Sequence, residues 1–281
     1  MKDINIFCFG FGQVAKNFVK KLNIEQYNIN LSATSRSESS KKIFNGINYN
    51  SYLFNSEKFD QNLVVKLKEA DHILVSIPPE NQEDLVIKNF SKFIESSKVK
   101  WITYLSATSI YGDHKGEWVN ENSKTNPISN NGIARLKAEN AWFSLEKNKK
   151  IPIQIFRLSG IYSNEKNILI RLKSGGVKLI NKKNHFFSRI HVDDISNILF
   201  KSLSKFKSGE IYNLSDDKPS TSEEVTLFGA KILNIENIEK IEVDQIKSEM
   251  LKNFYNESKQ FLKEYLKVNG DLPSYDTFRK N

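Results

Sequence analysis

The stretch FGFGQVA, residues 9–15, has the spacing best suited to binding an anion. Gly10, Gly12 and Ala15 fit the pattern glycine-x-glycine-x-x-glycine or alanine. In that pattern the first glycine allows a tight turn, the second lets the backbone approach a pyrophosphate, and the third small residue lets a helix pack closely on a strand. A helix beginning at Gln13 would present free N–H groups and its positive dipole end to the anion. Because the motif lies between a predicted strand and a predicted helix, it indicates dinucleotide binding, whereas a glycine turn alone would serve only packing.

A second chemical signal follows the second predicted strand, Ile29 to Ser35. An NAD site usually places Asp or Glu there to accept hydrogen bonds from the ribose, but this chain continues with Arg36 and Ser37. Arg36 and the flanking serines suit a 2′-phosphate, which a guanidinium binds through charge-assisted hydrogen bonds. The alternative is an ordinary exposed loop arginine. Since the missing acid separately disfavours NAD, we expect NADP as the cofactor, with NAD less favoured.

A parallel sheet is needed to bring these two signals together. Strand-like and helix-like segments alternate up to Gly160. The predicted strands are 4–10, 29–35, 71–79, 101–112 and 151–160, and the predicted helices begin at 13, 58, 82 and near 130. This alternation is typical of a parallel sheet covered on both faces. We therefore predict an α/β fold, a Rossmann-type doubly wound parallel sheet with a smaller C-terminal substrate lobe.

After Tyr162 the pattern loosens into short strands and helices, with one long helix predicted near Ile246 to Lys267. No internal repeat or low-complexity linker divides the chain. We assign residues 1–161 to an NAD(P)-binding Rossmann domain, with a return segment at about 186–215, and most of 162–281 to the substrate lobe.

Composition disfavours several classes of function. The chain has 281 residues, of which 39% are hydrophobic, enough for a large core. Its net charge of +9 comes from scattered lysines, without an RNA-recognition motif or zinc-finger spacing, so we expect no nucleic-acid partner. The four histidines form no HExxH motif and are not accompanied by clustered carboxylates, so we expect no metal. Cys8 is the only cysteine and is predicted to be a buried thiol. The apolar run of residues 4–11 is too short to span a bilayer, so we expect a cytoplasmic protein with no membrane partner.

Six motifs occur in the order and spacing of a known superfamily. They are FGFGQVA, VSIPP, YLSATSIYGD, GIARLKAE, FRLSGIY and RIHVDDI. The chain resembles the extended and atypical branches of the short-chain dehydrogenase/reductase superfamily, including NAD-dependent epimerase/dehydratase-like proteins. The resemblance covers nearly the whole chain, down to FYNESKQFLKEYL and LPSYDTFR. It implies NAD(P) along the strand ends, but it says little about the substrate, because one such fold hosts many chemistries.

The resemblance also implies contacts and assembly. The expected cofactor-binding residues are Gly10, Gly12, Gln13, Val14, Ser35, Arg36, Ser37, Ile77, Pro78, Ser106 and Arg135. A homodimer is one possible assembly, because the helix that carries Arg135 often packs in a dimer in this superfamily.

The residues that do the chemistry in this superfamily have changed in this chain. The usual set is a Ser or Thr before the Tyr-Gly pair and a Tyr-x-x-x-Lys on the next helix, where the tyrosine exchanges a proton with the substrate oxygen. The motifs place Ala107 at the Ser/Thr position, Asn131 at the tyrosine and Arg135 at the lysine. Alanine has no side-chain hydrogen bond, asparagine does not exchange a proton near neutral pH, and arginine stays cationic. The usual proton relay is therefore absent.

Thr108 and Arg135 are our catalytic candidates. Thr108 lies on the loop that faces the nicotinamide in this superfamily, and Arg135 replaces a lysine that normally touches the cofactor ribose. Tyr111, Asp113 and His114 lie on or near the same loop, but we expect Tyr111 to pack at its base and the other two to be solvated.

Two departures from the superfamily pattern disfavour a nucleotide-sugar substrate. Phe187 stands where an arginine binds the diphosphate in sugar-nucleotide members, so Arg189 is displaced, and Gly160 stands where an asparagine follows the FRL-like strand. In RIHVDDI we expect His191 to be a core histidine and one of the two aspartates, Asp193 or Asp194, to cap the following helix.

Two function classes remain open. The first is an NADP-dependent oxidoreductase or epimerase-like enzyme that acts on a small molecule and obtains its proton from an unconventional residue, water or the substrate. The second is a catalytically inactive NADP(H)-binding sensor or scaffold. We favour the first because the sequence retains a substrate lobe.

Overall fold

An eight-stranded sheet forms the centre of the computed structural model, which describes residues 2–182 and 185–261. The strands, in chain order, are β1 (Asp3–Phe9), β2 (Asn28–Ser35), β3 (Ser40–Phe44), β4 (Ile47–Leu53), β5 (His72–Val75), β6 (Trp101–Ala107), β7 (Trp118–Val119), β8 (Ile153–Leu158), β9 (Gly160–Tyr162), β10 (Leu179–Asn181), β11 (Phe186–Phe187), β12 (Arg189–His191), β13 (Ile211–Leu214), β14 (Ser220–Thr221), β15 (Lys240–Glu242) and β16 (Gln260–Phe261). The central sheet has the order β13-β8-β6-β5-β1-β2-β4-β3, and every neighbouring pair is parallel except β3 with β4. The predicted Rossmann-type α/β sheet is confirmed.

Helices cover both faces of this sheet. In the described ranges they are α1 (Gln13–Ile24), α2 (Asn62–Glu69), α3 (Leu85–Glu95), α4 (Asn130–Lys149), α5 (Ile168–Lys173), α6 (Val192–Lys205), α7 (Ser222–Ile232) and α8 (Glu249–Tyr255). Helices α1 and α6 pack on one face, and α2, α3 and α4 pack on the other. None of these helices combines the length and the apolar composition that crossing a bilayer requires.

Strand β1 shows how one apolar run supplies both cores. Successive side chains of a strand point to opposite faces. Ile6 and Cys8 accordingly join the core under α1 and α6, whereas Phe7 and Phe9 join the core under α2, α3 and α4. Cys8 is fully buried as predicted, and burial raises the pKa of its thiol to about 12.

The β3–β4 hairpin, which we did not predict from the sequence, extends the sheet beyond β2. Asn45 and Gly46 join the two strands, with φ angles of 48° and 78°. Asn-Gly is the sequence favoured for such a turn because both residues tolerate positive φ. The hairpin places β3 at one edge of the sheet.

The long helix predicted near Ile246 to Lys267 is wrong over the described residues. Helix α8 spans only Glu249–Tyr255, and Gln260–Phe261 form the strand β16 beside β7. The Phe261 ring lies 5.4 Å from the Tyr111 ring, and its N–H donates to Ser188 Oγ at 3.2 Å. These distant partners stabilise an extended backbone that helical periodicity did not reveal. Residues 262–267 and the LPSYDTFR motif lie outside the described residues.

Candidate functional site

Gly10 forms the tight turn after β1. It has a φ of +85°, and a Cβ there would lie 2.8 Å from Ile77 Cγ2 and from Ser76 Oγ. Its N–H donates to Thr34 Oγ1 at 2.8 Å, which ties the turn to β2. Both the conformation and the space therefore require glycine at this position.

Gly12 leaves the start of α1 open. It is the exposed N-cap residue of that helix, no side chain caps the helix there, and a Cβ at Gly12 would meet nothing within 4 Å. The first N–H groups of a helix have no partners within it, so those at Gln13 and Val14 are available to an anion. The Gln13 Nε2 atom is buried and has no hydrogen-bond partner among the described residues. This helix start can hold a phosphate group.

The order of the strands reverses at β1, between β2 on one side and β5 on the other. In open parallel sheets the crevice at such a switch point, beyond the carboxyl ends of the strands, is where ligands bind. Ile77 and Pro78 follow β5 at this edge; Ile77 is half-buried and Pro78 is exposed. Both predicted contact residues therefore border the same crevice as the glycine turn.

Ser35, Arg36 and Ser37 lie at the carboxyl end of β2. Arg36 and Ser37 are exposed, and the backbone carbonyl of Arg36 accepts from Asn55 Nδ2 at 3.2 Å. The Ser35 and Ser37 hydroxyls lie 3.2 Å apart. The loop backbone is thus held in place while the Arg36 side chain remains open to solvent.

The end of β6 brings the altered Ser/Thr position to the same edge. Ala107 is half-buried, and Thr108 begins a 3₁₀ turn, Thr108–Tyr111. Ser106, just before them, is 2% exposed, and its Oγ has no hydrogen-bond partner among the described residues. Hydroxyl groups therefore flank Ala107 on both sides, at Ser106 and at Thr108.

Helix α4 starts directly against this turn. A Cβ on Gly132 would lie 2.7 Å from the Ser109 carbonyl and 2.8 Å from Pro127 Cβ, so only glycine permits the approach. The helix begins after Ser129, whose side chain accepts from the Gly132 N–H at 3.2 Å. Asn131, at the usual tyrosine position, is exposed in the first helical turn.

Arg135 lies one helical turn further on and directs a donor at the sheet. Its Nη1 donates to the Leu105 carbonyl at 3.0 Å. Burial raises the pKa of the Tyr104 phenol, and the charge of Arg135 acts in the opposite direction. Burial likewise raises the pKa of Asp84, which Arg135 also opposes. The guanidinium therefore lies beside β6, where its hydrogen bond to the carbonyl of Leu105, the residue before Ser106, holds it in place.

A buried polar network that we did not predict holds the 3₁₀ turn from below. Arg157 of β8 donates from Nη2 to Glu139 Oε2 at 2.7 Å and from Nη1 to the Tyr111 hydroxyl at 2.7 Å. The Tyr111 hydroxyl donates to Asn213 Oδ1 at 2.8 Å. Tyr111 is fully buried, so it packs at the base of the loop as expected. An arginine inside the apolar run IPIQIFRL was the available signal, because a buried charge needs a partner.

Asp113 is exposed as expected, but it also forms structural hydrogen bonds. Its Oδ1 accepts from the backbone N–H of Ser258 at 2.9 Å and from that of Lys115 at 3.0 Å. His114 is half-buried, and its Nε2 lies 3.1 Å from the Lys124 carbonyl oxygen. Neither residue is simply solvated.

The RIHVDDI motif leads from β12 into α6. His191 is 3% exposed and is itself the N-cap, since its Nδ1 accepts from the Asp193 N–H at 3.2 Å. The expectation that Asp193 or Asp194 caps this helix is wrong, because both lie inside its first turn. Arg189 lies 3.5 Å above the centre of the Phe187 ring, and burial lowers its pKa to about 10. In the described residues no three His, Cys, Asp or Glu side chains are grouped to hold a metal ion.

Comparison with known proteins places this arrangement in a fold family. No family model matches the chain, and no curated protein matches it in sequence. A functionally unknown conserved protein from Silicibacter pomeroyi is 27% identical, with a TM-score of 0.81 over 99% of this chain and 96% of that one. A UDP-N-acetylglucosamine 4-epimerase from Methanobrevibacter ruminantium, in complex with UDP-N-acetylmuramic acid, is 16% identical, with a TM-score of 0.75 over 99% and 95%. A dTDP-glucose 4,6-dehydratase from Streptomyces venezuelae, with NAD and TYD bound, is 14% identical, with a TM-score of 0.73 over 93% and 88%. The chain shares the fold of these epimerase and dehydratase structures, which is the α/β fold that its motifs predicted.

Proposed function

We propose that this chain binds NADP(H) in preference to NAD(H) and acts as an oxidoreductase or epimerase-like enzyme on a small molecule. The observation that carries the proposal is the open start of α1 at Gly12. This exposed glycine has nothing within 4 Å of its Cβ position, and no side chain of the described residues caps the helix there. A bound nicotinamide dinucleotide would supply hydride transfer.

The residues around the crevice fit such a cofactor. In this proposal the backbone at Gly12 and Gln13 holds the pyrophosphate, and Gly10 lets the chain turn beneath it. Ile77 and Pro78 border the middle of the cofactor. Ser106, whose buried hydroxyl has no partner among the described residues, lies towards the nicotinamide end.

Cofactor choice depends on the end of β2. Arg36 is exposed there, and no acidic residue occupies positions 35–37 to accept from a ribose hydroxyl. Arginine offers a planar fork of donors that matches a phosphate group. The Streptomyces dehydratase was solved with NAD, which makes NAD the alternative cofactor to test.

The reaction would proceed without the usual tyrosine and lysine. Thr108 provides a hydroxyl at the end of β6, and Arg135 provides a fixed positive charge beside the Leu105 carbonyl. A positive charge in this position stabilises negative charge that develops on a substrate oxygen. The proton itself would come from Thr108, water or the substrate.

A protein that binds NADP(H) without turnover is the second candidate, as a sensor or scaffold. Asn131 is exposed and Arg135 already donates to the protein backbone. Neither side chain replaces a phenol with a lowered pKa. An assay for turnover, rather than one for binding, separates the two candidates.

Calorimetry with NADPH and NADH tests the proposal. NADPH should bind more tightly, and Arg36→Ala should weaken NADPH selectively by about ten- to a hundredfold, the factor expected from losing a charge-assisted hydrogen bond. Lys20→Ala removes the same charge from an exposed position on α1 and should change neither affinity. Equal affinities in the parent protein would refute the preference for NADP, and no binding of either nucleotide would refute the proposed function.

A further inference from the structure

A short segment from the C-terminal part of the chain is built into the loop that follows β6. We call residues 257–261 the clasp. Glu257, Ser258 and Lys259 are 9%, 8% and 7% exposed, although two of them are charged. The clasp lies between the loop of residues 112–119 and strand β11, and it hydrogen-bonds to both.

Backbone and side-chain hydrogen bonds fix the clasp to the loop. The Ser258 carbonyl accepts from the N–H groups of His114 at 3.1 Å and Gly116 at 2.9 Å. On the other side, the Lys259 N–H donates to the Phe186 carbonyl at 3.2 Å. Strand β16 then pairs in parallel with β7. The clasp therefore has one defined position relative to the loop.

Lys259 makes the side-chain hydrogen bond that joins the clasp to the end of the 3₁₀ turn. Its Nζ donates to the Gly112 carbonyl at 2.7 Å and to Glu257 Oε2 at 2.7 Å. Gly112 ends the 3₁₀ turn that starts at Thr108. It has a φ of +69°, and a Cβ there would lie 1.9 Å from the Asn126 carbonyl oxygen. The ammonium thus holds the Gly112 carbonyl, at the point where the 3₁₀ turn ends and the loop of residues 112–119 begins.

The central sheet also holds the 3₁₀ turn, at Tyr111. The Tyr111 hydroxyl is fixed by Arg157 and Asn213, at 2.7 and 2.8 Å. Residues 108–112 therefore have two charged anchors from different parts of the chain, Arg157 at Tyr111 and Lys259 at Gly112. An apolar side chain at position 259 could fill the same space, but it could not hold a carbonyl oxygen. Burying an ammonium is unfavourable unless it is paired and hydrogen-bonded, as it is at Lys259.

We propose that Lys259 is a positioning residue of the candidate site: through the Gly112 carbonyl it sets the conformation of the turn that carries Thr108. This proposal rests on the proposed function in one respect, since it takes the turn to border the nicotinamide end of a bound cofactor. The anchoring itself can be measured without any ligand.

The test compares Lys259→Met, Lys259→Arg and the exposed control Lys252→Met in the full chain. Hydrogen–deuterium exchange should become faster by about tenfold at the amides of residues 108–117 in Lys259→Met, which corresponds to about 1.4 kcal/mol of lost local stability. Lys259→Arg should restore much of the protection, and Lys252→Met should leave it unchanged. Because Glu257 would be left charged and buried in the Met variant, Glu257→Gln/Lys259→Met provides a second variant if the first fails to fold.

A cofactor readout then separates positioning from general stabilisation. The emission maximum of bound NADPH should shift in Lys259→Met and return to the parent value in Lys259→Arg. The NADPH dissociation constant should change by less than about threefold, since the glycine turn holds the other end of the cofactor. Unchanged exchange in residues 108–117 in both Met variants would overturn the proposal, whether or not nucleotide binds. Faster exchange over the whole chain would also overturn it. If the parent binds no nucleotide, the proposed function fails, whereas the exchange results still decide whether Lys259 sets the conformation of the turn.

Discussion

Replacing Gly12 with aspartate should leave the fold intact and prevent dinucleotide binding. A Cβ at Gly12 meets nothing within 4 Å, and its φ of −86° and ψ of −164° suit an ordinary residue. Aspartate is a favoured N-cap, and an acid at a helix start contributes about 0.3–1 kcal/mol. The free energy of unfolding should therefore stay level or rise by about 1 kcal/mol or less.

The same carboxylate would stand where the pyrophosphate must approach. Two unit charges about 4 Å apart repel by about 4 kcal/mol at an effective dielectric constant of about 20. That energy corresponds to roughly a thousandfold increase in the dissociation constant. The effect on binding is therefore large while the effect on stability is small.

Calorimetry with NADPH and urea denaturation together check this prediction. Gly176→Asp is the matched control, because Gly176, between α5 and β10, also has open space around its Cβ position. It should bind NADPH as the parent does. Parent-like affinity in a folded Gly12→Asp protein would refute the assignment of the pyrophosphate to this helix start. A large loss of stability would contradict the open space around Gly12.

Three further predictions follow from other residues. Asn131 and Arg135 stand in place of the tyrosine and lysine. NADPH oxidation with a panel of aldehydes and ketones should therefore be about a hundred- to ten-thousandfold slower than in an enzyme that has general acid–base catalysis. Rapid turnover that disappears in Arg135→Ala would contradict this. Arg157→Met should lower the free energy of unfolding in urea by about 3–5 kcal/mol, because Glu139 is left charged and buried, and Arg157→Met/Glu139→Leu should regain most of it; equal losses in both variants would argue against the ion pair. Burial lowers the pKa of His72 from its ordinary 6.5 to about 4, so the unfolded chain binds more protons between these values and stability should fall as the pH drops from 6.5 towards 4. The fall in stability should be smaller in His72→Phe. If the urea midpoints of the parent and of His72→Phe change identically with pH, the lowered pKa of His72 is refuted.

The strands of the central sheet were predictable where they are buried on both faces. Such strands are nearly continuous apolar runs, as in β1 and β6, and local composition identifies them. The β3–β4 hairpin was missed because its strands, SKKIF and INYNSYL, are largely polar and partly exposed. The dipeptide Asn45-Gly46 between them was a usable signal.

The glycine turn was predictable for the same local reason, because its spacing lies within seven residues. The charged anchors were not. Glu139 and Arg157 are 18 positions apart, and Gly112 and Lys259 are 147 apart. A single sequence shows that a charge lies in an apolar run, but it does not show which distant group pairs with it. The roles of Thr108 and Arg135 in catalysis stay predictions.

The contact between Lys259 and Gly112 also orders events during biosynthesis. Domains begin to fold while the chain is still being synthesised. Strands up to β8 can pair before residue 257 leaves the ribosome, but the loop after β6 lacks the partner strand β16 and the Lys259 ammonium until then. A nascent chain paused before Glu257 would therefore carry a formed sheet with an unfinished rim at residues 112–119. We expect that rim to be cut faster by a protease in the incomplete chain than in the complete one.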